Sequence, residues 1–233
     1  MLSIIIPALN EQENLKNLLD SIKVQGDFGD YEIIVADAGS KDKTKEVAIA
    51  YNCIICQGGL PAKGRNEGAK IAKGDWILFL DADTMLPKNF FVNTFKEVNE
   101  RNLSIASYKL LPTSNNKKAT FYLNFFYNWP IEFLQNILPH GADGILIKKN
   151  IFEKVNGFDE SVKLAEDHYM IRLACKIGKF GIIKNSSVYI SERRFVTDGW
   201  VRTGIKYLLC ELHMIFLGPV KSNIFNYKFN HYK

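Results

Sequence analysis

Four cysteines in 233 residues are too few for a disulfide-built domain. No uncharged apolar run reaches the roughly 18 residues that read as a membrane-spanning helix. The best candidate, 204–220, contains Lys206, Glu211 and His213. Neither G-x-G-x-x-G nor G-x-x-x-x-G-K-[ST] occurs, which disfavours a dinucleotide fold and a P-loop ATPase. There is no internal repeat and no low-complexity linker. No leader pattern precedes the first apolar run, so a reducing, cytoplasmic setting is the expectation. Charge of one sign is also scarce: 30 Lys+Arg against 25 Asp+Glu leave +5, too little to point to nucleic acid. What remains is 47% hydrophobic and 24% charged, an ordinary globular composition that excludes disorder and suits one large domain or two halves sharing a core.

The first half alternates two periodicities. LSIIIP (2–7) reads as a buried strand. Asn10 followed by Glu13 predicts a capping box, and Leu15, Leu18, Leu19 and Ile22 mark one helix face to about Val24. Strands follow at 31–37, 53–57 and 74–83, and a helix carrying Val47, Ala48 and Ala50 separates the first two. The Gly-rich loop GGLPAKGRNEG leads into a helix through Ile71, and 87–101 reads as another helix before the strand SIASYKL. Strands alternating with helices predict parallel βαβ units, hence an α/β sandwich with a mostly parallel sheet. Ligands in such sheets sit at the carboxyl ends of the strands, where Asp37 and Asp81 both fall. In the second half, 119–138 is an aromatic helical stretch interrupted by Pro130. PHGADGILIKKNIFEKVNGFDES reads as loop, strand, short helix and Gly turn. An amphipathic helix spans 166–177 with Ile177 inward, FGIIKN and SVYIS are two short strands, and 200–217 is a last helix.

Each candidate motif has a plainer reading beside it. Asp81-Ala82-Asp83 closes an apolar strand; two carboxylates one residue apart can share a hard divalent cation, or merely form an Asx-type turn. Asp37 ends another strand and can accept from a nucleobase N–H, while Ser40 and Asp42 read as caps of the next helix. Lys63 and Arg65 beside three glycines suit a diphosphate, or a solvated basic loop. Glu166-Asp167 opens a helix, where acids favour the macrodipole but could also serve as a general base. Cys53 and Cys56 have C-x-x-C spacing inside a strand and read as inert. His140 and His168 are candidates for a third metal ligand, or a loop and a helix-surface histidine.

Five segments in register, SIIIPALNEQENL, DAGSKDKT, GRNEGAKIAKGDWILFLDADT, GADGILIKKNIFEKVNGFDE and AEDHYMIRLACKIGKFGII, resemble family 2 glycosyltransferases of the GT-A fold from Leu2 to about Ile183. The resemblance implies one Rossmann-like α/β/α catalytic domain over 1–200. Its 1–105 half would bind a nucleotide sugar and its 106–200 half an acceptor, with 201–233 a basic amphipathic extension. It also implies site roles. Pro7, Ala8, Asn10 and Glu11 would line the nucleoside end and Asp37 would bond the base. Lys63, Arg65 or Asn66 would support base or diphosphate. Asp81 and Asp83, with Ala82 between them at the nucleotide, would hold Mg²⁺ or Mn²⁺. Asp167, with Glu166 as its neighbour, would be the catalytic base, and the strand 144–148 and the loop before it would face the acceptor.

Two departures narrow this. Ala38 stands where relatives often carry a second carboxylate, and the Gln-x-x-Arg-Trp of processive synthases is absent, with Glu192-Arg193-Arg194-Phe195 at most a remote echo. The implied activity is transfer of one sugar from a UDP- or GDP-linked donor to a glycan hydroxyl or a lipid phosphate, inverting and metal-dependent. The rivals are a non-catalytic nucleotide-sugar-binding module and, less favoured because PALNEQEN lacks a Gly-rich basic turn, a sugar-1-phosphate nucleotidyltransferase.

The chain's charge surplus is concentrated at its end, where Arg202, Lys206, Lys221, Lys228 and Lys233 face one acid, Glu211. Phe121, Tyr122, Phe125, Phe126, Tyr127 and Trp129 follow Lys117 and Lys118. Aromatics flanked by cations predict peripheral attachment to an anionic membrane surface; core packing of two helices is the alternative.

Overall fold

A computed structural model describes residues 1–114, 116–141 and 143–225. Residue Ala142 of the GADG segment and the last part of the basic extension, 226–233, lie outside the described residues. The strands are β1 (Leu2–Ala8), β2 (Tyr31–Asp37), β3 (Ile54–Gln57), β4 (Trp76–Phe79), β5 (Thr84–Met85), β6 (Ile105–Pro112), β7 (Ile145–Lys148) and β8 (Phe180–Ile190). They form one sheet in the order β3-β2-β1-β4-β7-β6-β8-β5. Pairs β1/β2, β2/β3, β1/β4 and β6/β8 are parallel, and β7 and β5 run antiparallel to their neighbours. The helices are α1 (Gln12–Lys23), α2 (Thr44–Ala50), α3 (Pro61–Ile71), α4 (Phe90–Arg101), α5 (Lys117–Leu123), α6 (Trp129–Leu134), α7 (Lys149–Lys154), α8 (Glu166–Ala174), α9 (Arg193–Asp198) and α10 (Trp200–Phe216).

The sheet is covered on both faces, which is why β1 is apolar without alternation. Ile4 and Ile6 pack with Leu15, Leu18 and Leu19 of α1 and Phe90 and Phe91 of α4. Ile5, on the opposite face, packs with Ala62 and Ala69 of α3, Phe152 of α7 and Met170 and Ile171 of α8. Helix α3 lies close to β1 because Gly64 and Gly68 form its inner stripe. A Cβ on Gly68 would stand 2.5 Å from Ile5 Cγ2. This approach brings Arg65 to the carboxyl ends of the strands.

Several local expectations are corrected. The capping box is not formed: Asn10 is in the left-handed region at φ 55°, and α1 starts at Gln12 after Glu11. Asn10 instead ties two loops together, donating its N–H to Ser40 Oγ at 2.9 Å and accepting from the Lys41 N–H at 2.8 Å. Helix α2 starts after Lys43, so neither Ser40 nor Asp42 is its cap residue. Asp42 still accepts from the Thr44 N–H at 3.0 Å. FGIIKN and SVYIS are one strand, β8, in which 184–186 are looped out between the pairs Tyr108–Ile183 and Lys109–Ser187. Buried Glu97 causes this by accepting from the N–H groups of Lys184 and Asn185 at 2.9 and 3.0 Å. The 166–177 helix ends at Ala174, leaving Ile177 exposed. Pro130 falls at the start of α6, after a π-helical turn, Asn124–Asn128, that absorbs the break in the hydrogen-bond ladder.

Candidate active site

The carboxyl end of the sheet gathers the sequence-predicted residues into two regions. In the first, Pro7 and Ala8 end β1, and Ala8 is in register with Asp37 at the end of β2. Asp37 is buried and accepts from the N–H of Gly39 at 2.9 Å and of Ser40 at 3.1 Å, with Lys45 Nζ at 3.3 Å. Burial opposes its ionisation, but the bonds from Ser40, Gly39 and Lys45 outweigh burial and hold the carboxyl below its ordinary value. Asn66 fastens a distant turn: it donates to the Phe158 carbonyl and accepts from the Phe158 N–H, both at 2.9 Å. Lys63 is exposed on the first turn of α3.

The second region is acidic. Asp81 follows β4 by two residues, and the tight turn there is closed by its backbone carbonyl, which accepts from the Thr84 N–H and hydroxyl at 3.1 and 2.7 Å. Its side chain is therefore available to the site, where Oδ1 accepts from Arg65 at 2.6 Å. The other arm of the Arg65 fork reaches Glu166 Oε1 at 2.7 Å. A buried guanidinium thus joins the turn after β4 to the first turn of α8. Ala165, in the left-handed region at φ 59°, sets the angle at which Glu166 and Asp167 enter. Asp167 Oδ1 accepts from the His168 N–H at 2.8 Å. Arg193 of α9 stands over the remaining acids, 3.4 Å from Glu11 Oε2 and from Asp83 Oδ2. Arg65, Asp81, Asp83, Asp143, Glu166, Asp167 and Arg193 all line one cavity of about 780 Å³.

The sequence pattern of Glycosyl transferase family 2 matches residues 3–158. The chain belongs to this family. An uncharacterized glycosyltransferase of Rickettsia typhi is 28% identical over 205 residues, covering 82% of this chain and 61% of the relative. One of Haemophilus influenzae is 26% identical over 182 residues, covering 74% and 62%. The chain thus spans about three fifths of the length of these relatives. Among solved structures, TarS 1–349 of Staphylococcus aureus in complex with UDP superposes with a TM-score of 0.67 at 19% identity, covering 93% of this chain and 72% of that one. Glucosyl-3-phosphoglycerate synthase of Mycobacterium tuberculosis, solved with Mn²⁺, UDP and glucosyl-3-phosphoglycerate, gives 0.59 at 17% identity, covering 90% and 78%. These likenesses show the expected GT-A fold.

The family match ends before Glu166 and Asp167, so in this family 2 chain their place rests on geometry. The acids of the second region carry more negative charge than the arginines relieve. Burial, Asp81 and Glu11 push Asp83 above its ordinary value against Arg193. Burial, together with Asp81 and Asp83, drives Asp143 well above its ordinary value. Burial also works against Asp81, but Arg65 and then Asp143 outweigh it and hold its carboxyl below the ordinary value. Glu166 is raised by burial and by Asp167, with Arg65 opposing. A corner of crowded carboxyl groups, only partly offset by guanidinium groups, fits a divalent cation.

Asp143 and Arg193 were not among the residues singled out for roles. Asp143 lies in the GADG segment, expected to face the acceptor, and Arg193 in the four-residue echo, and neither motif by itself reports contact with Asp81 or Asp83. His140 and His168, expected as third ligands, group with Glu211 of α10. The tail's lone acid was the available signal for that grouping. Cys53 and Cys56 are free thiols, and burial pushes Cys53 up to about 11, away from metal or redox chemistry.

Proposed function

We propose that this chain transfers a single sugar from a nucleoside-diphosphate sugar, with inversion, to an acceptor bound in the cavity beside Asp167. The observation that carries the reading is the Arg65 bridge. It places the Asp81–Asp83 pair and the Glu166–Asp167 pair on one cavity wall, the leaving-group side next to the acceptor side. In the reaction, the bond from sugar C1 to the diphosphate oxygen breaks as the acceptor oxygen attacks C1 from the opposite face. Asp167 takes the acceptor proton. It is the base because Glu166 is held by Arg65, whereas Asp167 is oriented by a backbone N–H of its own helix. Asp81 and Asp83 would hold Mg²⁺ or Mn²⁺, which supplies charge neutralisation at the diphosphate when bound. Lys63 at the start of α3 adds positive charge nearby. Asp37, two strands from β4 in the sheet, together with Pro7, Ala8, Asn10 and Glu11, would border the base and ribose. Solved neighbours hold UDP, UDP-GlcNAc and GDP-Man, which supports a nucleotide-sugar donor without choosing the base.

The acceptor side supports presentation at a lipid surface. Phe121, Phe125, Phe126 and Trp129 are exposed, as are Val201, Ile205, Leu208 and Leu212 of α10. Phe125, Phe126, Val201, Ile205, Leu208 and Leu212 line the cavity that reaches Asp167. Lys117, Lys118 and Arg202 are exposed on the same elements. An acceptor with an apolar anchor in an anionic bilayer fits this wall.

The deciding experiment is a melting-temperature screen against UDP-, GDP- and dTDP-sugars with Mn²⁺. A donor at 100 times its Kd should stabilise by about 2.7 kcal/mol. The same donor should be turned over by the wild type, and about 10²-fold or more slowly by Asp167→Asn. Absence of any donor shift, or full turnover by the Asn variant with a hydroxyl acceptor, would overturn the reading.

A further inference from the structure

The acceptor-side wall of the cavity carries a second donor set, apart from the Asp81–Asp83 pair. His168 Nδ1 is 2.5 Å from Glu211 Oε1, and His140 Nδ1 is 3.5 Å from the same oxygen. One donor atom from each of the three residues lies within 4.8 Å of the other two. The two imidazole rings are 3.5 Å apart, centroid to centroid, and tilted by 41°. The residues come from three separate segments: the loop before β7, the first turn of α8 and the middle of α10. All three line the cavity.

We propose that His140, His168 and Glu211 form a site for a borderline divalent transition ion, of which Zn²⁺ is the natural occupant and Co²⁺ a faithful probe. Two imidazoles and one carboxylate make a nitrogen-rich set that suits Zn²⁺, whereas Mg²⁺ and Ca²⁺ take oxygen donors. Three protein ligands leave a coordination position free, and here it opens onto the cavity. Outer contacts orient the ligands as metal sites require. The Arg172 guanidinium holds Glu211 Oε2, which turns Oε1 to the histidines. Asp167 Oδ1 is 3.6 Å from His168 Nε2, the nitrogen on the far side of the ring. The edge of Tyr127 packs on His140 with centroids 5.3 Å apart. An ion here would tie α10 to α8 and offer a coordination position beside Asp167. That it would hold an oxygen of the acceptor rests on the proposed function; the ion site itself does not.

The test is Co²⁺ titration of the metal-free full chain, read by its visible d–d bands. An Asp81→Asn/Asp83→Asn variant removes the other site. One equivalent should bind in that variant, Zn²⁺ should displace it, and His140→Ala or Glu211→Gln should abolish the bands. Arg172→Gln should weaken binding by about 10–100-fold. X-ray absorption of the Zn²⁺-loaded wild type, which needs no variant to fold, should show imidazole scattering from two histidines. An oxygen-only shell would overturn the proposal. So would a variant lacking the Asp81–Asp83 pair that binds no Co²⁺, which would leave the cluster as an ion pair of His168 with Glu211. Neither result depends on glycosyl transfer, so failure here and failure of the transferase reading are separable.

Discussion

Arg65 illustrates how one side chain can serve stability and chemistry together. It is buried between two carboxylates from separate elements, the turn after β4 and the start of α8, and its ring neighbour Phe158 lies 5.4 Å away. Removing it strands Asp81 and Glu166 without a counterion. Arg65→Ala should therefore lose about 3 kcal/mol in urea unfolding, and activity should fall further than stability alone explains. Arg65→Lys should recover part of the stability but not the two-armed geometry. Asp37 makes a different prediction. Its carboxyl is held below the ordinary 3.8, so the stability it contributes is present above the unfolded pKa and is lost as pH falls through the lower folded value. Asp37→Asn should be less stable than the wild type at neutral pH, and the gap should close in acid. Unfolding curves across that range check the sign; a gap that widens in acid would refute it.

At the scale of elements, the edge of the sheet near β8 is shaped by one helix residue. Glu97 of α4 is buried, pairs with Arg101, and accepts the N–H groups of the looped-out Lys184 and Asn185. Arg101 in turn donates to the Ile182 carbonyl at 2.7 Å. This arrangement shifts the β8 register so that Val188 and Ile190 continue the pairing with β6 up to Pro112. Glu97→Ala leaves two backbone donors and a guanidinium without their acceptor, so a loss of about 3 kcal/mol is expected. Hydrogen exchange should localise the new opening to 180–190. Uniform protection with unchanged stability would show that the bulge forms without Glu97.

For the whole molecule, the notable property is where apolar surface is left uncovered. Phe126 is 60% exposed, Phe133 86% and Phe216 77%, on the π-helical turn, α6 and α10. The core-packing alternative holds for Tyr127 and Trp200, which pack on the main core, but not for Phe121, Phe125, Phe126 and Trp129, which are exposed; α10 buries Thr203, Cys210 and Met214 and leaves most of its aliphatic side chains outward. No helix among the described residues is long and apolar enough to cross a membrane. We expect the protein to float with anionic liposomes at low salt and to be released as salt screens the contribution of Lys117, Lys118 and Arg202. Phe126→Ser combined with Leu208→Ser should weaken flotation without changing the melting temperature by more than a degree or two. A wild-type chain that remains at the bottom of the gradient at low salt rejects the lipid surface.

The alternation of strands and helices in the first half, the burial of β1 and the position of the acids at strand ends followed from the sequence, whereas the short β5 and α9 did not. Apolar period and turn residues are local properties, and a parallel sheet has few ways to use them. The capping box, the supposed pair of strands at 180–190 and the inward Ile177 were misread because a distant partner decided each: Ser40 and Lys41 for Asn10, Glu97 for β8, and the early end of α8 for Ile177. The site divides the same way. Asp81, Asp83, Glu166 and Asp167 were visible as residues. That Arg65 joins them, that Asp143 lines the same cavity as Asp81, and that Glu211 meets two histidines were decided by the tertiary structure alone. Side chains 101 positions apart, like Arg65 and Glu166, are set side by side by how helices close over the sheet. No local pattern carries that information.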